Sequence, residues 1–156
     1  MAQVFPRVRM GLLESHVIVF PAQTFLDQLL TNHYEVSDRP RLWQEFPVTS
    51  EYSGTAVTID LLECHPAGCS TAEVLSQLGK LKLIPATLAH VLFILREDPN
   101  IIARCSPVLC LGSICTDPAA VQHTPLIWDT GSTVSLSLFA LEEEWWDPCM
   151  IFALRS

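Results

Sequence analysis

Residues Pro125–Arg155, PLIWDTGSTVSLSLFALEEEWWDPCMIFALR, decide how this chain is read. Val134, Leu136 and Leu138 alternate with Ser135 and Ser137, and a period of two marks a strand with one buried face. The pattern predicts antiparallel strands over Leu126–Trp128, Thr133–Phe139 and Cys149–Leu154. Asp129-Thr130-Gly131-Ser132 separates the first two, and Asp beside Gly is hairpin-turn chemistry because such turns need positive φ. Glu142-Glu143-Glu144-Trp145-Trp146-Asp147 follows as a solvated acidic loop with one Trp folded into the core.

The tetrapeptide Asp129–Ser132 also has a second reading. Aspartic proteases present a catalytic carboxylate on the same sequence, and their chemistry needs two such carboxylates against one water. Here 27 residues follow Asp129 in a chain of 156, too few for the rest of a protease lobe. The turn is the expectation.

Outward from this segment the signals remain those of a mixed domain. Thr55–Leu62 is rich in β-branched residues and reads as a strand, and Pro107–Ile114 reads as a second, buried one. Between them, Ser70-Thr71-Ala72-Glu73 fits a capping box, with Val74, Leu75 and Leu78 as the buried stripe and Gly79 placed to end the helix in a left-handed cap. Thr87 is a second N-cap, followed by the apolar face Leu88, Val91, Leu92 and Leu95, which stops before Pro99. Residues 1–50 are less regular. His16–Phe20 suggests a short strand, Phe25, Leu26, Leu29 and Leu30 recur at helical spacing, and 38–50 reads as a loop that buries Trp43 and Phe46. The expected organisation is an N-terminal extension over 1–50 packed on a core domain over 51–156. The expected class is α+β, an antiparallel sheet with two or three helices.

Composition excludes several functions. The net charge is −8, with 9 Lys plus Arg against 17 Asp plus Glu, so the surface repels phosphate backbones and nucleic acid is not an expected partner. Hydrophobic residues are 49% and mean hydropathy is +0.32, yet no run approaches the ~20 apolar residues of a membrane span. The first residues do not form a secretory signal, because Glu14 and His16 interrupt the apolar stretch, so a cytoplasmic location is expected. The apolar surplus is the reason to expect a partner, a protein or a small ligand, or else a homo-oligomer interface.

The chain has 6 cysteines and 5 histidines. Cys64-His65-x3-Cys69 and Cys105-x4-Cys110-x4-Cys115 lack the paired knuckles of structural zinc, and buried thiols are the simpler reading. No cysteine sits in a recognisable nucleophile context, so no catalytic residue and no cofactor is assigned. The loop Glu142–Asp147 offers oxygen ligands of the kind Ca²⁺ takes and an aromatic pair able to stack on a ligand. Loops on a rigid scaffold carry recognition, so the candidate binding residues are Asp129, Glu143, Glu144, Trp145, Trp146 and Asp147.

STAEVLSQLGKLKLIPATLAHVL, from Ser70, resembles the helix-then-LPT passage of C-type lectin-like and formylglycine-generating-enzyme-like domains. The end of the chain, Trp145-Trp146 and then Met150–Arg155, resembles their closing strand. Ile84–Phe93, Pro107–Ser113 and Ile151–Arg155 are also similar to phrases in short proteins of candidate-phyla bacteria. The resemblance covers residues 50–156 and implies a C-type lectin-like fold. His90 stands where that family has an acidic residue, the sugar-binding tripeptides have no matching position, and the paired catalytic cysteines map onto no position here. An activity therefore does not carry over. The reading is a non-catalytic binding or interaction module. The alternatives are a small enzyme with a Cys–His or metal-dependent site and a structural subunit of a homo-oligomer.

Overall fold

The computed structural model describes residues 8–19, 34–36, 56–66, 68–143, 145–146 and 148–155. The strands are β1 (Arg9–Val19), β2 (Tyr34–Val36), β3 (Ala56–His65), β4 (Leu83–Pro85), β5 (Val108–Leu109), β6 (Cys115–Thr116), β7 (Gln122–Asp129), β8 (Val134–Ala140) and β9 (Cys149–Arg155). The helices are α1 (Thr71–Lys80), α2 (Leu88–Glu97) and α3 (Ile101–Arg104). All nine strands join one sheet in the order β1-β3-β9-β5-β7-β8-β2, with β4 paired to β9 and β6 to β7. The class is α+β.

Alternation along β3 and β9 divides the core in two. Ile59, Leu61, Phe152 and Leu154 face one side, where α2 and α3 pack with Leu88, Val91, Leu92 and Ile101. Leu62, Cys64, Ile151 and Ala153 face the other, where α1 packs with Val74 and Leu78. The molecule is thus three layers, and β3 and β9 read as nearly continuous apolar runs because both of their faces are covered.

The helix starts follow the chemistry read from the sequence. The Ser70 hydroxyl accepts from the Glu73 amide at 3.2 Å, which satisfies one orphan donor of α1. At α2 the capping box is closed by a histidine. The Thr87 amide donates to His90 Nδ1 at 3.1 Å, in the place usually held by Glu or Gln.

Several expectations are corrected. Gly79 does not end α1: the helix runs through Lys80, and the positive φ, 57°, falls on Lys82. The strand expected over Pro107–Ile114 is only Val108–Leu109, because Cys110–Ser113 turns, with the Ser113 amide donating to Cys110 O at 2.9 Å. The sheet is not wholly antiparallel, since β5 pairs parallel to β9 and β2 parallel to β8. The last three strands are not consecutive neighbours either, because β5 and β7 lie between β9 and β8. The N-terminal strand is longer than His16–Phe20 suggested, running over Arg9–Val19 along β3. The segment expected as a helix around Phe25–Leu30 and the loop over 38–50 lie outside the described residues. Among those described, no helix is long and apolar enough to cross a membrane.

Candidate functional site

The segment joining β8 to β9 acquires its shape from the strand order. β8 is antiparallel to β7, β5 is also antiparallel to β7, and β9 is parallel to β5. β8 and β9 therefore run the same way with two strands between them, and a hairpin cannot connect them. Residues 141–148 must cross a face of the sheet. The described part of the connection lies on the α1 face, where Leu141 and Trp145 join the buried cluster containing Val74, Leu109 and Leu126.

The two tryptophans hold this crossing down in different ways. Trp145 is buried, and its Nε1 donates to Leu141 O at 3.1 Å, closing the start of the crossing on itself. Trp146 is half-buried against Phe139, with centroids 5.0 Å apart, and meets Trp128 edge-on at 6.4 Å. The beginning of the crossing is further fixed by backbone bonds, Leu141 N to Gln122 O at 2.9 Å and Glu143 N to Ala140 O at 3.0 Å.

Between the crossing and the first turn of α1 lies a cleft of about 970 Å³. Pro66, Cys69, Ser70 and Glu73 line one wall. Leu141, Glu142, Glu143 and Trp145 line the other, with Gln122 also contributing. Glu73, Glu142 and Glu143 are exposed, and Leu141 and Trp145 are buried. The arrangement is an acidic rim above an apolar, aromatic base, which suits a ligand that carries a cationic group on an apolar body.

Of the residues singled out from the sequence, Glu143 and Trp145 line this cleft. Trp146 points instead to the Phe139–Trp128 surface. Glu144 and Asp147 lie outside the described residues. Asp129 is not brought to the cleft wall lined by Gln122. It ends β7 where Gln122 begins it, roughly 23 Å away at the rise of a strand. Its carboxylate accepts from the Gly131 amide at 2.8 Å, and Gly131 has φ +93°, so Asp129–Ser132 is an exposed hairpin turn. Sequence reasoning missed Glu73, Cys69 and Gln122 as cleft residues. The capping box marked Ser70–Glu73 as a helix start, but nothing local placed that start opposite residue 141.

Cys105, Cys110 and His90 are disposed for packing more than for nucleophilic chemistry. All six cysteines are thiols. Burial pushes Cys110 far above the ordinary thiol range, and burial, with the Glu14 and Glu63 charges adding to it against the pull of Arg104, pushes Cys105 up. Both stay protonated near neutrality, and the thiolate is the reactive form. Burial lowers His90 to about 4, which keeps it neutral as a cap acceptor. Among the described residues, no three His, Cys, Asp or Glu side chains gather as metal ligands. Comparison with protein-family models, with curated proteins and with solved structures finds no match to this chain.

Proposed function

We propose that the protein is a binding module that takes a cationic, partly apolar ligand, such as an Arg- or Lys-bearing peptide segment, in the cleft between α1 and the β8–β9 crossing. One observation carries this reading. The strand order brings the acidic, Trp-bearing segment and the capped start of α1 to one cleft of about 970 Å³, although they are distant in sequence. The net charge of −8 favours the same class of partner through electrostatic steering. A cytoplasmic setting suits thiols kept reduced.

Panning random phage-displayed peptides against the full chain tests the proposal. Selected sequences should be enriched in Arg or Lys beside aromatic residues, bind more weakly as salt rises, and lose most of their affinity for the Glu142→Gln/Glu143→Gln protein. Absence of enrichment over a blank surface, or equal binding to that variant, would sink the reading.

A second reading, self-association, is favoured by a different surface. Among the described residues β1 stands first in the sheet order and exposes Leu12, Leu13, Val17 and Val19, and an apolar edge strand is a template for pairing with another chain. Sedimentation at micromolar concentration tests it, and a monomer would reject it.

A further inference from the structure

Cys64 and Cys149 face each other as the terminal rung of the β3–β9 ladder. Both are fully buried on the α1 face of the sheet, in the cluster against which the half-buried Cys69 also packs. Residues directly opposite in an antiparallel ladder have Cα atoms about 4.5 or 5.5 Å apart, depending on their hydrogen-bonding position. Both spacings fall inside the roughly 4.4–6.8 Å Cα window for a disulfide, and the Cβ atoms of such a pair, about 4.5–5.5 Å apart, need approach by only about an ångström for the sulfurs to join.

We infer that Cys64 and Cys149 form a cross-strand disulfide on exposure to a low-molecular-weight disulfide, and that this is a redox modification site of the protein. One cysteine, as its thiolate, attacks a sulfur of the small disulfide and expels one small thiolate. The neighbouring cysteine then attacks the protein sulfur of the mixed disulfide and expels the second. The protein dithiol is oxidised, the small disulfide is reduced to two thiols, and the two cysteine protons end on those thiols. Access comes from the Cys149 side, because Cys149 begins β9 at the final rung of its ladder with β3, which opens at less local cost than the centre, while Cys64 stays paired to Met10 of β1.

The location gives the cross-link a consequence. One wall of the cleft begins two residues after Cys64, at Pro66, and the segment that forms the other wall enters β9 at Cys149. A bond between them ties together the two points from which the walls depart. The cross-link itself does not depend on what the cleft binds.

The test is to incubate the folded full-length protein with oxidised glutathione, titrate thiols after denaturation, and map linked peptides by mass. Six thiols should fall to four, with Cys64 joined to Cys149. The Cys69→Ala protein should lose the same pair of thiols, and the Cys149→Ala protein should lose none to an internal bond. The wild-type peptide map stands alone if a variant fails to fold. A dominant bond through Cys69, or all six thiols still titrating after prolonged exposure, would overturn the inference.

Discussion

Arg155 Nε donates to Asp60 Oδ2 at 3.0 Å, tying the end of β9 to the middle of β3. Ser15 of β1 closes a triangle, donating through Oγ to Asp60 Oδ1 at 2.7 Å and accepting from Arg155 Nη2 at 3.1 Å. Three adjacent strands at one edge of the sheet are thus stitched on a single face by one buried carboxylate. Glu14, next to Ser15, repeats the device toward the opposite layer by accepting from Arg104 Nη2 at 2.7 Å.

Burial pushes the Asp60 carboxyl up, but the Arg155 and Ser15 hydrogen bonds together with the Arg155 charge more than offset it, so the group titrates below its ordinary value of 3.8. A depressed carboxyl contributes stability above its unfolded pKa, and that stability is lost as pH falls through the folded value. In Arg155→Ala the burial effect loses its main opponent. Carbon-detected NMR titration should then show the Asp60 midpoint moving upward, with acid unfolding beginning at higher pH than in the wild type. An unmoved midpoint would mean that the triangle does not govern this carboxylate.

His90 sets a second, separate pH window. Its folded value of about 4 lies below the ordinary value of 6.5, with burial as the cause. Between those values the unfolded chain binds the proton and the folded chain does not, so stability falls as pH drops from 6.5 toward 4. The difference corresponds to about 3 kcal/mol. Gln at this position can still accept from the Thr87 amide but does not titrate. His90→Gln should fold normally at pH 7 and show a flatter stability profile across that window, as read from urea melts.

Gly112 is required by a close approach, since its amide donates to Ala86 O at 2.9 Å. A Cβ there would sit 2.6 Å from the Ala86 carbonyl carbon and would also meet the Pro85 carbonyl oxygen. Those atoms are backbone and cannot rotate away. Gly112→Ala should cost about 1–3 kcal/mol by overpacking, measured as a lowered thermal midpoint. Gly79→Ala, at a position with open space around it, should be neutral or slightly stabilising.

The contrast between these glycines shows which parts of the fold were readable from the sequence. Local chemistry identified the caps Ser70 and Thr87, the turn at Asp129–Ser132 and the cores of β3, β7, β8 and β9, because each is decided within a few residues. Gly79 misled because the residues beyond a helix help to choose where it ends, and here Lys82 takes the left-handed turn into β4. The turn at Gly112 was invisible for the opposite reason, since its partner Ala86 lies far back in the chain. The cleft had the same problem. Glu143 and Trp145 were conspicuous as an acidic, aromatic run, but their neighbours Glu73 and Gln122 became so only once β5 and β7 were inserted between β9 and β8.

That insertion makes Trp145 and Trp146 unequal, although they are adjacent and identical. Trp145 Nε1 donates to Leu141 O in a buried hydrogen bond within the crossing, so Trp145→Phe leaves a buried carbonyl unsatisfied at a cost of about 1–3 kcal/mol. Trp145→Ala also empties the base of the cleft and should cost about 3–5 kcal/mol. Trp146 is half-buried and its ring contacts are with Phe139 and the partly exposed Trp128, so Trp146→Ala forfeits mainly aromatic contacts worth about 0.5–1.5 kcal/mol each. Urea melts should therefore rank Trp145→Ala below Trp145→Phe and Trp146→Ala. Ligand selected against the wild-type cleft should be lost from Trp145→Ala while being retained by Trp146→Ala. If the two alanine variants proved equally stable and equally impaired, the crossing would not be anchored on Trp145, and the cleft would lose its aromatic base.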